Sequence, residues 1–251
     1  MLIIGYIPIY MIMKNFKNIS SKLVLRICAV CVVSVMLSSC LKSHNDNTPT
    51  PPVSLLTVIQ ASPDQPPLDF YLNSDKVNSG SISYGNDIDY FRAYSGKRAA
   101  IFKLASGTNL ILDSITLKQN FAYSLFLAGK ASAPELVYLT DTLVTPAAGS
   151  AGVRFINLSP DAPAVDLAIK GGGAVWVGNK WFKGFSSFAN VSGNKYSLEV
   201  RKAGTTTVLA SVDNVSILPG YIYTIWLHGL VASTGASNAL TIGVITNAVP
   251  Y

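Results

Sequence analysis

Beyond residue 52 the chain is a succession of short apolar runs cut by turn residues. LTVIQA, LDFYLN, AAIFKLA, LILDSITL and FAYSLFLAG come first; VRFINLS, VDLAIK, YSLEVRK, TVLASVDNVSI and YIYTIWLHG follow in the same order. Each is rich in Val, Ile, Tyr and Thr and is bounded by Gly, Pro, Asn or Asp, the pattern of a strand. One more run closes each set, ELVYLTDTL at Glu135–Leu143 and ALTIGVITN at Ala239–Asn247. No stretch holds a sustained apolar period of about 3.6 residues with caps, so no helix is expected. About seven short antiparallel strands in ~100 residues is the size of an immunoglobulin-like sandwich. The pattern therefore predicts an all-β protein made of two tandem immunoglobulin-like antiparallel β-sandwich domains.

The two sets are copies. VRFINLSPDAPAVDL from Val153 repeats LTVIQASPDQPPLDF from Leu56. Ser62, Pro63, Asp64 and Asp69 recur as Ser159, Pro160, Asp161 and Asp166, each 97 positions on. The offset holds to Gly107 and Gly204 and becomes 100 from Asp113 and Asp213 onward. Three extra residues are thus expected in the Thr205-Thr206-Thr207 turn, where lengthening costs little. The period implies tandem domains, at 53–145 and 152–251, and not a solenoid of short units. Ser-Pro-Asp itself reads as a turn. Pro160 presets φ, Ser159 or Asp161 can bond nearby backbone N–H groups, and Asp166 opens the next strand. The competing reading makes Asp161 and Asp166 cation ligands or paired acids; Ca²⁺ would require six or more oxygens, which two carboxylates do not supply.

The N-terminal segment is different. Lys14, Lys17, Lys22 and Arg26 precede an apolar run, Ile27 to Leu37, that is too short for the ~20 residues of a bilayer span. Such a layout is that of a signal peptide, over residues 1–39, with Met13 or Met11 the expected true start because Met1 to Ile12 fits no part of it. Leu37-Ser38-Ser39-Cys40 resembles the bacterial lipobox. That resemblance implies diacylglyceryl transfer to the Cys40 thiol, cleavage before it and anchoring in the cell envelope, with Leu41 after the cysteine favouring the outer membrane. Residues 40–52, with Pro49, Pro51 and Pro52, are expected to be a disordered tether. Cys28 and Cys31 fall in the removed segment, so the mature chain would fold without a disulfide.

Composition then narrows the function. The chain is 49% hydrophobic and 13% charged, against the roughly 25% charged of a typical soluble domain. Its net charge of +6 arises mainly from the leader, which holds four basic residues and no acid. The remainder is no footprint for nucleic acid. His44 lies in the tether, leaving His228 as one usable histidine. That is too few for zinc, and there is no G-x-S-x-G elbow for a hydrolase. Glu135 and Glu199 lie in different copies, so a glycosidase pair is not expected. Gly171-Gly172-Gly173 reads as a hairpin loop. No cofactor is expected.

AVWVGNKWFKGFSSF, from Ala174, interleaves Trp176, Trp181, Phe182, Phe185 and Phe188 with Lys180 and Lys183. Trp181, Phe185 and Phe188 align with Tyr84, Ile88 and Phe91 of the first copy and are expected in the core. Trp176 and Phe182 are expected at the surface, and Trp176, Trp181 and Phe182 are the candidate ligand contacts. Ser114 and Thr142 follow aspartates in Asp-Ser/Thr-aliphatic strings that resemble O-glycosylation sites of exported Gram-negative proteins.

VRFINLSPDAPAVDL, SGNKYSLEVRKAGTTTVLA and LPGYIYTIWLHG resemble the domain of unknown function 4397. The likeness is close over Val153 to about Gly229 and weaker over Leu55 to Gly129. It implies a repeated domain of secreted or envelope proteins and brings no catalytic residue. The expectation is a non-catalytic, lipid-anchored envelope protein for binding, adhesion or scaffolding, its partner an envelope protein or a glycan. Its alternatives are an accessory glycan-binding lipoprotein and an aspartate-dependent hydrolase.

Overall fold

Strands form where the apolar runs fall. A computed structural model describes residues 51–233 and 235–249. The predicted leader, Cys40 and the tether up to Thr50 lie outside the described residues. The first repeat holds β1 (Val53–Gln60), β2 (Asp69–Leu72), β3 (Asp75–Lys76), β4 (Asp87–Tyr94), β5 (Gly96–Lys103), β6 (Asn109–Leu117), β7 (Ala122–Lys130) and β8 (Ala133–Asp141). The second holds β9 (Ser150–Asn157), β10 (Val165–Ile169), β11 (Val175–Lys180), β12 (Ala189–Ser192), β13 (Asn194–Lys202), β14 (Val208–Ile217), β15 (Ile222–His228) and β16 (Thr241–Ala248). A 3₁₀ turn at Ala236–Asn238 precedes β16.

Each repeat is a sandwich of two four-stranded sheets. The first pairs β4-β1-β7-β8 with β3-β2-β5-β6, and the second pairs β12-β9-β15-β16 with β11-β10-β13-β14. The all-β, two-sandwich expectation holds. One feature departs from it: β1 runs parallel to β7, and β9 parallel to β15. Parallel neighbours need a long crossover, and here the crossover runs through the opposite sheet of each sandwich.

Alternate residues of the central strands fill three cores. Leu56, Val58, Tyr123, Leu125 and Leu127 face into the first sandwich with Phe70 and Phe102. Val153, Phe155, Ile225 and Leu227 do the same in the second, with Leu167 and Val200. The opposite faces of β1, β7, β9 and β15 are also apolar. Ile59, Phe126, Val137 and Leu139 meet Ile156, Leu158 and Trp226 in a third core. The central strands are buried on both sides, which accounts for their nearly unbroken apolar runs. The sandwiches are therefore fused back to back, and Pro51–Tyr251 cluster as one compact unit.

The copies differ in detail. Ile101 pairs with Leu112 and Leu198 with Val212, so the offset of 100 is reached by Val212 and the extra residues lie before it, at the Thr205-Thr206-Thr207 turn. The second copy also has a bulge at Asn214, φ +61°, where pairing passes from Tyr196↔Val215 to Leu198↔Val212. A bulge lets one strand carry an unpaired residue without breaking the ladder. The edge strands also differ. β4 spans eight residues, but its counterpart β12 spans four. The chain before β12, from Trp181 to Phe188, follows β9 irregularly and keeps the bridge Ile156↔Phe185.

Candidate binding site at the junction of the repeats

The recurring string has the same part in both copies. Ser62 Oγ donates to the carbonyl of Gly129 at 2.8 Å, and Ser159 Oγ to that of Gly229 at 2.7 Å. Asp64 accepts from the N–H of Ala131 at 2.7 Å; Asp161 accepts from Val231 at 2.9 Å and Ala232 at 3.2 Å. Serine and aspartate thus clamp the turn that follows the central strand, β7 or β15. The clamped glycines have φ of +80° and +93°, and a Cβ on either would strike the carbonyl oxygen of Ala133 or Ala239. Asp69 gathers Lys76, Asn78 and Ser81, while Asp166 accepts from the N–H groups of Asn179 and Gly204. Lys76 beside Asp69 holds its carboxyl below the usual range. All four aspartates are engaged as turn or hairpin braces. No cluster of three His, Cys, Asp or Glu able to hold a metal occurs among the described residues.

Where the two repeats meet, polar side chains close a network. Asp141 at the end of β8 and Arg154 on β9 are 0% and 2% exposed. Arg154 donates from Nη1 to Asp141 at 2.5 Å, from Nη2 to Ser124 Oγ at 2.8 Å and from Nε to Thr224 Oγ1 at 2.8 Å. Ser124 Oγ donates to Asp141 Oδ2 at 2.7 Å, and the Tyr90 hydroxyl donates to the same oxygen. Thr224 donates to Asn247 Oδ1 at 2.5 Å, and Asn247 Nδ2 donates to Tyr90 Oη at 3.1 Å. Each hydroxyl donates once and accepts once. Burial first, and the Asp141 charge second, push the Tyr90 hydroxyl well above its ordinary pKa. The ring of Phe188 lies under the guanidinium, 4.6 Å away. Both carboxylate oxygens of Asp141 are thus engaged, by a permanent cation and two hydroxyls.

His228 sits elsewhere on the same junction. Its Nδ1 shares a 2.6 Å hydrogen bond with the Tyr84 hydroxyl, and its ring stacks on Trp226 at 3.8 Å. Burial lowers its pKa to about 4. Lys183 and Glu135 add an exposed ion pair across the repeats.

Two adjoining hollows open over this network. One, of about 350 Å³, is lined by Thr142, Thr145, Phe185, Ser187, Phe188 and Asn190, with Arg154 at its floor. The other, of about 700 Å³, is lined by Leu55, Arg92, Phe121 and Leu143, with Asp141 at its floor. Thr140 and Thr142 border both.

The aromatic stretch is arranged oppositely to expectation. Trp181 is 65% exposed and Phe185 48%, whereas both were expected in the core. Phe188 is half-buried beneath Arg154. Trp176, expected at the surface, packs against the second core and meets Tyr196 edge-on at 4.8 Å. Phe182 packs on the core between the repeats. The physical reason lies in the shortened edge: Lys183 has φ +66°, and Gly184 approaches Trp181 so closely that a Cβ would clash. This turn rotates Trp181 and Phe185 outward. Of the three candidate contacts, Trp181 alone is freely exposed, and Phe185 joins it. Ser114 and Thr142 are both exposed. Asp141, which precedes Thr142, faces inward, so that second string is not presented whole at the surface.

The geometry defines a class before any relative does: a fused pair of β-sandwich repeats with a junctional groove. Residues 54–168 match the family model described as Domain of unknown function (DUF4397). The match covers the first sandwich together with β9 and most of β10. No curated protein matches the chain. Among solved structures it is similar to CBMbc, a family CBM26 module from Eubacterium rectale Amy13K crystallised in complex with maltoheptaose. Identity is 13%, with 77% of this chain and 97% of that one covered, and the TM-score is 0.26, too low for that likeness to carry any argument.

Proposed function

We propose that this chain is a non-catalytic binding module of the cell envelope and that its contact face is the junction of the repeats. In this reading residues 1–39 are a lipoprotein leader, Cys40 carries the lipid and 40–52 tether the repeats 53–145 and 152–251, at the outer membrane. The observation that carries it is the pair of hollows rimmed by exposed aromatic and hydroxyl side chains over a floor whose charges are already paired. A catalytic centre needs a group free to exchange a proton or attack; Asp64, Asp161 and Asp141 are all occupied, which leaves the aspartate hydrolase without its acids.

A second reading names the ligand class as a glycan. Two observations favour it: Trp181 and Phe185 offer ring faces to solvent, and Thr142, Thr145, Ser187 and Asn190 stand beside Phe185. Aromatic faces with neighbouring hydroxyls and amides suit the apolar face and the rim of a sugar. A glycan array probed with the chain from Pro51 onward tests it. Binding that falls about tenfold in Phe185→Ala or Trp181→Ala supports the reading. Binding unchanged in both variants refutes this location, and an array without binding returns the module to a protein partner. Labelling cells with an alkyne fatty acid tests the anchor: label that survives Cys40→Ala overturns it.

A further inference from the structure

The larger hollow contains a cation without an acid. Arg92 on β4 is exposed and takes part in none of the ion pairs among the described residues. Residues two apart share a face of a strand, so Arg92 lies on the same side of β4 as Tyr90, whose hydroxyl reaches Asp141. The carboxylate nearest in the lining is that of Asp141, already held by Arg154, Ser124 and Tyr90. Lys118 adds a second positive charge, its Nζ 6.0 Å from the ring of Phe121, which lines the same hollow. The wall thus presents unbalanced positive charge beside apolar surface from Leu55 and Phe121.

The adjoining hollow is different in character. It offers the half-exposed ring of Phe185 and the polar groups of Thr142, Thr145, Ser187 and Asn190, and it holds no free charge. A ligand spanning both would need an apolar ring face, several hydroxyls and an anionic group set apart from them. We propose that the two hollows form one tract for a carboxylate-bearing oligosaccharide, with a sugar face on Phe185 and a carboxylate on Arg92. This rests on the glycan reading above and specifies its charge. An uncharged glucan would leave Arg92 unused. A peptide carboxylate would satisfy Arg92 but not the hydroxyl-lined half. A guanidinium gives a carboxylate two parallel N–H donors, a stronger and more directional bond than a neutral pair provides.

The experiment is calorimetric titration of the soluble chain with oligogalacturonate, oligomannuronate and hyaluronan fragments. Each is compared with its methyl-esterified form, which keeps the sugar and removes the charge. The expected result is that at least one acid form binds and its ester binds about tenfold more weakly. Arg92→Gln should abolish that difference while leaving the melting temperature unchanged, because the Arg92 side chain makes no hydrogen bond or ion pair among the described residues. Esters that bind as well as acids overturn the proposal and leave the glycan reading intact. If neither form binds, the proposal falls, and the glycan array decides the glycan reading separately. Acid binding that survives Arg92→Gln, or equal binding of a succinylated peptide, also overturns it.

Discussion

Replacing Asp141 by alanine would leave Arg154 buried with its charge uncompensated. Burial is nearly complete, at 0% and 2% for the two side chains, so solvent does not screen the loss. Breaking one partner of such a pair costs about 3–5 kcal/mol, far more than the pair contributes relative to apolar residues. Here the cost is compounded, since Tyr90 and Ser124 both donate to Asp141 and would lose their acceptor. For a body of this size each kcal/mol shifts the melting temperature by about 2–4 °C, so Asp141→Ala should melt roughly 6–20 °C below the parent. Thermal unfolding followed by near-ultraviolet circular dichroism measures it, with Asp213→Ala as control. Asp213 pairs with Lys170 at the surface, where water and salt screen the attraction and its loss should be small. The cycle is completed by Arg154→Met and the double variant. Removing both charges should recover part of the loss, because the desolvated cation is then gone. The reasoning fails if Asp141→Ala melts within the range of the Asp213→Ala control, or if the double variant is as unstable as the two single losses added.

Two further outcomes follow from the junction. His228 has its pKa depressed to about 4 from an unfolded value of 6.5, so the unfolded chain binds the proton more readily between those values. Its effect on stability is absent above pH 6.5 and grows to a loss of about 3 kcal/mol as pH falls to 4; His228→Gln should flatten this part of the melting-temperature profile, and an unchanged profile contradicts the assignment. Gly243 on β16 lies against the indole of Trp226, and a Cβ there would come within 2.2 Å of Nε1. Gly243→Ala should therefore cost about 1–3 kcal/mol by forcing Trp226 out of place, visible in chemical denaturation and in red-shifted tryptophan fluorescence; a neutral result would show that the indole moves freely.

Much of the fold was legible because strand formation depends on local pattern. YSLEVRK lies within β13, and the closing runs fall on β8 and β16. The parallel pairs were not legible, since direction is set by which distant strand arrives, not by the residues of either. The junction does leave a trace in the sequence. In YIYTIWLHG both alternating sets are large, with Tyr223, Ile225 and Leu227 facing one core and Trp226 and His228 the other side. A one-sided sandwich strand would alternate with polar residues. Arg154 is a polar residue within the apolar run VRFINLS; its partner Asp141 belongs to the other repeat, where no periodicity could place it. The aromatic stretch was misassigned by aligning Phe185 with Ile88. That alignment assumes the same edge in both copies, and the turn at Lys183-Gly184 breaks the equivalence.

The third core uses the corresponding face of each copy, with Ser124 and Thr224 in matching places and Thr57 of β1 answering Arg154 of β9. Self-complementary faces of this kind are how two identical molecules associate about a twofold axis. A gene with one such module would need a second molecule to cover Ile59, Phe126 and Leu139. Covalent union removes that dependence on concentration and releases each half from having to match itself. A guanidinium on one side and a carboxylate on the other is an asymmetry that identical subunits would have to carry twice.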